Sequence, residues 1–298
     1  MAPACAYTVL TGGYEQLNPQ EVARESGLRF ICLTDNAELR AAEGWEIRYT
    51  QPPLPGDPVR SQRMMKILAH QYLPEFESSL YIDNTVKLLA PPEALFAAAA
   101  DAELALCPHS FRNALHEEFH AVVEQRLDDA ALVAEQRAHY QASAPALLDG
   151  PMFWTGMMLR RHHAPQLRAA MALWCAHVMR YSRRDQLSAP MALHLAGLEP
   201  RLLPLDNYSS GFHSWPHLNG RLESMRVFAA PETDAGKIAE LETRLVSMWQ
   251  GRLAAEAELA AVSAAHAEMQ AAFNRPVLAQ ARDLLKRAGQ RLTPRAPG

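Results

Sequence analysis

Cations and one strand-borne carboxylate are spaced in this chain as a phosphate-binding site would need them. The run Ser79-Leu80-Tyr81-Ile82-Asp83-Asn84-Thr85-Val86-Lys87 carries an apolar strand into a polar turn and delivers Asp83 there, where a carboxylate can anchor a metal-bound diphosphate. Upstream, Arg60, Arg63 and Lys66 recur every three residues, which spreads three cations over one broad helix face able to meet the same phosphates. Taken alone, Asp83 is an ordinary strand end, since many α/β domains place Asp at such turns.

The elements that must position these residues alternate through the first hundred positions. Residues 7–10 read as a strand, residues 19–26 as a short helix opened by Pro19, residues 29–34 as a second apolar strand ending on Asp35, and residues 45–49 as a third. A Pro-rich break over residues 51–58 precedes a helix over 59–71, and residues 79–83 form the next strand. Strand, helix, strand, strand, helix, strand is the order of a nucleotide-binding half-domain, whose ligands gather at the carboxyl ends of the strands. Thr11 to Tyr14, Asp35 and Asp83 all fall there. The Ala-rich stretch over 94–105 is interrupted by Asp101 and Glu103 and reads as a helix of a soluble fold.

Composition narrows the class. The 298 residues, 49% of them hydrophobic, suffice for one full α/β domain plus an appendage. A net charge of −4 argues against a general nucleic-acid or anionic-membrane surface. Cys5, Cys32, Cys107 and Cys175 lie far apart with no Cys-x-x-Cys pair, as expected of reduced thiols in the cytoplasm. The apolar run over 4–10 lacks the basic start of a signal peptide, and no stretch reaches the roughly 20 apolar residues of a membrane helix.

Read in order, several segments resemble a known family. Tyr7-Thr-Val-Leu-Thr-Gly-Gly-Tyr14, Phe30-Ile-Cys-Leu-Thr-Asp35, Arg60-x-x-Arg63-x-x-Lys66-x-x-x-His70, Leu80-Tyr-Ile-Asp83-Asn84, His109-Ser-x-Arg112-Asn113-x-x-x-Glu117-Glu118 and Arg183-Arg184-Asp185-Gln186-Leu187-Ser188 together resemble the glycosyltransferase-like domain family related to plant turgor-regulation and mucilage proteins. The resemblance spans about Tyr7 to Trp215. It implies a GT-A type fold, a mixed Rossmann-like sheet flanked by helices, and a nucleotide-sugar donor with a saccharide acceptor. In distant retaining transferases of that fold, Asp-Gln motifs like Asp185-Gln186 lie beside the transferred sugar.

Glycosyl transfer passes through an oxocarbenium-like state while a nucleoside diphosphate departs, so charge growing on the leaving phosphate must be neutralised. A divalent cation (Mn or Mg) held by carboxylates can do this, as can guanidinium groups. Asp83 is the expected metal anchor. Against the familiar Asp-x-Asp pattern, Thr85 replaces the second carboxylate, and His213 in Phe212-His213-Ser-Trp215-Pro-His217 is a candidate to supply the missing ligand. A packed, hydrogen-bonded His213 is the competing reading.

The remaining candidates each carry two readings. Thr11, Gly12, Gly13 and Tyr14 form either a donor-binding loop or a plain turn; Asp35 either holds base or ribose or caps the next element. Asn84 extends the Asp83 turn. By resemblance, Thr155 and Gly156 border the donor sugar, although their run also reads as a turn entering a core strand. His109, Arg112, Asn113 and Glu117 could line an acceptor pocket or a polar helix start, and at most one of Glu117 and Glu118 can face inward. Asp185 is the expected catalytic or acceptor-orienting carboxylate, with a helix start as its alternative; Arg183 and Arg184 pair with it or bind phosphate.

Residues 1–221 thus read as the transferase-like domain and 222–236 as a linker. From 237 to 298, residues 238, 241, 245, 248, 252, 255, 259, 262, 266, 269 and 273 keep a three-four spacing that predicts a long coiled-coil-like helix and self-association. Pro276 ends it, a shorter amphipathic helix follows, and Lys286, Arg287, Arg291 and Arg295 offer peripheral membrane contact. Against the transferase stand two alternatives: a non-catalytic nucleotide-sugar-binding scaffold, and a hydrolase using Asp83 and nearby histidines.

Overall fold

Short, largely apolar runs separated by Pro, Gly and Asp clusters build the sheet. In the computed structural model, which describes residues 3–13, 15–40, 42–99, 101–218, 234–273 and 277–291, nine strands form: β1 Ala4–Leu10, β2 Arg29–Thr34, β3 Glu46–Tyr49, β4 Ser78–Ile82, β5 Lys87–Leu88, β6 Leu104–Pro108, β7 Phe153–Arg161, β8 Arg201–Leu202 and β9 His213–Ser214. Seven of them make one sheet in the order β3-β2-β1-β4-β7-β6-β8, while β5 and β9 pair separately. The first four in that order are mutually parallel, and β7 runs antiparallel to both β4 and β6. This is the GT-A-like mixed sheet that the motifs implied. Tyr14 and most of the linker lie outside the described residues.

Helices cover both faces. The α-helices among the described residues are α1 Pro58–Ile67, α2 Ala69–Tyr72, α3 Glu93–Ala99, α4 Leu115–Glu124, α5 Ala130–Ser143, α6 Pro165–Arg180 and α7 Asp185–Ala196, followed by α8 Asp234–Phe273 and α9 Val277–Arg291, which are not counted among the layers on the sheet. Alternation along β1 sends Cys5, Tyr7 and Val9 into the core under α1, α6 and α7, and Ala6 and Leu10 into the opposite core with Trp154 and Leu95. A third cluster joins α4, α5 and α7 through Leu115, Val122, Tyr140 and Leu187.

Two expectations are corrected. The helix expected over 59–71 is broken at Leu68, whose ψ of 42° ends α1 before α2 begins. The Ala-rich stretch is helical only as α3; its tail becomes the buried strand β6, because Leu104, Ala105, Leu106 and Cys107 fill both cores. Periodicity alone cannot separate a buried strand from a helix segment of that length.

Asp57 caps α1, accepting a 2.9 Å hydrogen bond from the Arg60 backbone N–H, with Pro58 in the first turn. At the other end, the buried Arg160 guanidinium donates to the carbonyls of Lys66 and Ile67 at 2.8 and 2.9 Å, and the Tyr7 hydroxyl donates to the Lys66 carbonyl at 2.6 Å. The last turn of α1 is thereby fixed by two strands.

The chain divides into two compact units, Met1–Thr243 and Arg244–Gly298. The second is helical, and the 40-residue α8 leaves Leu245, Met248, Leu259, Val262 and Met269 exposed. No described helix is long and apolar enough to cross a membrane. The four cysteines are buried thiols.

Candidate functional site

Because β1, β2 and β4 are parallel, their carboxyl ends share one edge of the sheet. The loop after β1 and the end of β2 meet there: the Gly12 N–H lies 3.2 and 3.1 Å from the two Asp35 carboxylate oxygens, and the Thr11 hydroxyl donates to the Pro58 carbonyl at 2.8 Å. Gly12 and Gly13 have φ of 74° and 64°, a left-handed pair that glycine adopts without strain.

At the end of β4, Tyr81 and Asp83 fall on one side of the strand, and the Tyr81 hydroxyl donates to Asp83 Oδ1 at 2.5 Å. Burial and the Asp83 charge push that phenol well above its ordinary range, so it remains a donor. Gln62 donates to the Tyr81 oxygen at 2.9 Å. The Asp83 backbone N–H donates to the Gly156 carbonyl at 2.8 Å.

Gly156 lies in a register shift of β7, where Cys107 of β6 opposes Trp154 and the next residue back, Leu106, already opposes Met158. A Cβ on Gly156 would stand 2.5 Å from the Trp154 ring, so the strand needs glycine there. The irregularity turns Thr155 toward α1 and α7, and its hydroxyl donates to Asp185 Oδ2 at 3.2 Å.

Lys66 reaches the same point from α1. Its side chain is 1% exposed, with Nζ 2.7 Å from Asp185 Oδ2 and 3.6 Å from Asp83 Oδ1. Nζ also donates to Thr155 Oγ1 at 3.2 Å and lies 4.9 Å from the centre of the Tyr81 ring. Arg63 Nε is 3.2 Å from Asp185 Oδ1. Asp185 is the first residue of α7, and its carbonyl accepts from the Trp174 indole at 2.8 Å. Burial would raise this carboxyl; the charges of Arg63 and Lys66, the Lys66 hydrogen bond and Arg184 outweigh it and hold Asp185 below the ordinary carboxylate range.

Arg184, beside Asp185, is half-buried, and its Nε is buried without a hydrogen-bond partner. Burial, then Arg63, depress its pKa, against the pull of Glu118, Asp185 and Asp83. Glu118 is buried with Oε2 3.0 Å from Arg112 Nε, a contact at ion-pair distance without hydrogen-bond alignment. Burial raises Glu118 above its usual value. Four cations (Arg63, Lys66, Arg112, Arg184) therefore face three carboxylates (Asp83, Asp185, Glu118), a balance that suits an anionic ligand.

The structure sorts the expected residues. It joins Arg63, Lys66, Asp83, Thr155, Gly156, Arg184 and Asp185. Gln186 follows on the first turn of α7, half-buried and without a side-chain hydrogen bond among the described residues. Arg60 is not brought in: its guanidinium binds Asp57 at 2.9 Å and the carbonyls of Val178 and Tyr181 at 3.1 and 2.8 Å, because the last turn of α6 leaves carbonyls without helical partners. Of the acidic pair, the inward residue is Glu118, whereas Glu117 accepts from the Asn113 N–H at 2.8 Å and closes the start of α4. Asn84 is a brace, accepting from the Asn18 N–H at 2.9 Å and donating to the Gln16 carbonyl at 2.8 Å. Arg183 turns to Asp128, with Nε at 3.4 Å.

Tyr81, Gln62 and Trp174 were not singled out for this site from the sequence, and of the Glu117-Glu118 pair it is Glu118, rather than the expected Glu117, that enters. Tyr81 could have been found, since a strand places residues two apart on one side. His109 is buried and held down to about 4 by burial and by Arg112; it packs edge-on against Phe111, which in turn meets Tyr208. The loops bearing these rings are locked by the buried Asn207, which accepts from the Ser110 N–H at 2.7 Å and donates to the Pro108 carbonyl at 2.8 Å.

A protein-held divalent metal does not fit this donor set. His213 is fully buried, with Nδ1 2.8 Å from Ser210 Oγ and Nε2 3.1 Å from the Asn207 carbonyl, so both ring nitrogens are engaged within its own loop. Thr85 accepts from the Trp215 indole at 3.0 Å. Asp83 and Asp185 already share Lys66, and no group of three or more His, Cys, Asp or Glu suited to a metal occurs among the described residues. A separate cavity bounded by Glu77, Phe96, Asp101, Glu103, Arg161 and His163 opens at the opposite edge, near the amino end of β4.

A GT-A-like sheet with a cation-rich cleft at the carboxyl ends of its parallel strands defines a glycosyltransferase-like domain. The chain belongs to the TOD1/MUCI70 glycosyltransferase-like domain family, whose profile matches residues 41–201. That match includes the segments around Arg63, Asp83, Glu118 and Asp185 but not the first strand or its glycine loop. No curated protein matches the chain. Among solved structures, it is similar to mouse xyloside xylosyltransferase 1 in its apo form, at 11% identity and a TM-score of 0.39, covering 69% of this chain and 86% of that one. It is also similar to the apo WbbM bifunctional glycosyltransferase, at 10% identity and a TM-score of 0.42, covering 82% of this chain and 44% of that one.

Proposed function

We propose that this chain is a glycosyltransferase that moves a sugar from a nucleoside-diphosphate sugar to a saccharide or surface-polymer acceptor. The observation that carries the reading is Arg184, whose buried Nε has no partner, placed beside Arg63 and the Lys66-Asp83-Asp185 cluster at the ligand edge of the sheet. A half-buried guanidinium beside this cluster can offer its exposed part to a phosphate oxygen. The nucleotide would lie along the Gly12-Gly13 loop and Asp35, with its diphosphate toward Arg184 and Arg63. Transfer breaks the bond between the anomeric carbon and the phosphate oxygen and forms one to an acceptor hydroxyl oxygen. The electron pair leaves with the diphosphate, where the arginines stabilise it, and the hydroxyl proton passes to a carboxylate or to the departing phosphate. Gln186, half-buried on the first turn of α7, is the group we assign to the sugar, while Asp185 positions Lys66 and Arg63.

The decisive experiment is a thermal-shift screen of uridine and guanosine diphosphate sugars. Saturation at a hundred times Kd stabilises by about 2.7 kcal/mol, which Arg184→Ala should abolish. A flat response to every nucleotide would count against the reading. Assembly through α8 accompanies this function: its three-four stripe, apolar except at Arg252 and His266, exposes Ile238, Leu241, Leu245, Met248, Leu259, Val262, Met269 and Phe273, as a helix that pairs with a second copy requires. The protein works in the cytoplasm, where its buried thiols stay reduced.

A further inference from the structure

Two carboxylates delivered to one point by separate elements are the ordinary makings of a divalent-cation site. Here that point is filled by an ammonium attached to α1. We infer that Lys66 is a resident cation that joins Asp83 to Asp185 in place of a metal, and that the pair becomes a metal site only when this ammonium is removed. The functional meaning of the inference rests on the transferase reading; the occupancy of the point does not.

Three observations support it. The Lys66 ammonium contacts Asp185 at 2.7 Å and Asp83 at 3.6 Å, with Thr155 Oγ1 at 3.2 Å, so its donors are directed at the oxygens a metal would need. It has nowhere to go. The side chain is 1% exposed, and the Lys66 carbonyl is pinned by Tyr7 at 2.6 Å and Arg160 at 2.8 Å. A divalent ion bridging the two carboxylates would sit at bonding distance, about 2.1 Å, from their oxygens and hence against Nζ, where like charge repels it. The positions that would complete a metal shell are also committed, Thr85 to Trp215 and His213 to Ser210 and Asn207. Charge on the departing diphosphate is then met by fixed side chains. Lys66 acts as a positioning residue, setting Asp83 and Asp185 without touching the ligand.

Manganese binding to the full chain, read from loss of the free-ion electron paramagnetic resonance signal, tests this directly. Lys66→Met should bind Mn2+ at least about tenfold more tightly than the wild type, a gain of about 1.4 kcal/mol, and adding Asp83→Asn should erase the gain. A folded Lys66→Met, judged by circular dichroism, that gains nothing overturns the inference. If that variant does not fold, wild type is compared with Asp83→Asn alone: equal, weak Mn2+ binding supports it, and tight wild-type binding lost in Asp83→Asn overturns it. Thermal shifts with UDP and GDP form the second arm. Equal shifts in chelator and in Mn2+ support a resident cation, and a shift seen only with Mn2+ overturns it. Absence of any shift in both solutions refutes the transferase reading and leaves the manganese titration to decide the role of Lys66.

Discussion

Replacing Asp185 by Ala removes the carboxylate nearest to a buried ammonium and so measures how the centre of the site is held. Breaking a buried ion pair from one side costs about 3–5 kcal/mol, because the remaining charge stays desolvated. The lower end applies here. Asp83 stays 3.6 Å from Lys66, against 2.7 Å for the lost partner, so by distance alone it is about three-quarters as strong a counter-charge. We therefore expect a loss of about 3 kcal/mol, lowering Tm by about 6–12 °C in a domain of this size. Urea unfolding of the full chain, followed by tryptophan fluorescence, measures it, since Trp174 donates to the Asp185 carbonyl and reports on this corner. In a Lys66→Met background the same change should cost at least about 1.5 kcal/mol less, because no ammonium is then abandoned. A loss below about 1 kcal/mol, or an equal loss in both backgrounds, would refute the pairing.

Stability should also depend on acid through Asp185: its folded pKa is depressed, so the advantage of the wild type over Asp185→Asn is full above about pH 5, shrinks as pH falls below the unfolded value of about 3.9, and does not change between pH 6 and 8 in denaturant titrations. Gly156→Ala should destabilise by about 1–3 kcal/mol in the same assay, since its methyl group would meet the Trp154 ring at 2.5 Å. Asn207→Ala, which strands the Ser110 N–H and the Pro108 carbonyl, should cost about 2 kcal/mol and raise the acceptor KM with little change in nucleotide binding. Leu245→Lys with Leu259→Lys should reduce the mass by light scattering to that of a monomer, both residues lying in the exposed stripe of α8.

The parts of the site fixed by local pattern could be read from the residues. An apolar strand ending on Asp83, a helix whose broad face carries Arg63 and Lys66, and a helix opening at Asp185 all follow from spacing and turn chemistry. What decides their partners is distant. Arg60 shares the helix with Lys66, yet it turns to the end of α6, more than a hundred residues away in sequence. Glu117 and Glu118 are equivalent by type, and only the packing of α4 against α5 and α7 makes Glu118 the inward one. The Ala-rich segment hid β6 because a strand buried on both faces loses its alternation. Thr85 reads as a missing carboxylate, while its partner, Trp215, lies 130 positions further on.

The clamp on the end of α1 also sets an order of events during synthesis. Lys66 leaves the ribosome long before Arg160, which pins its backbone, and Asp185, which neutralises it. A nascent chain that stops short of β7 and α7 can pair β1, β2 and β4, but closing α1 onto them would bury an ammonium with Asp83 as its sole nearby counter-charge. That penalty disfavours closing α1 onto the sheet before the later segments are present. The charged centre thus ties the closing of the core to the presence of the residues that make up the site.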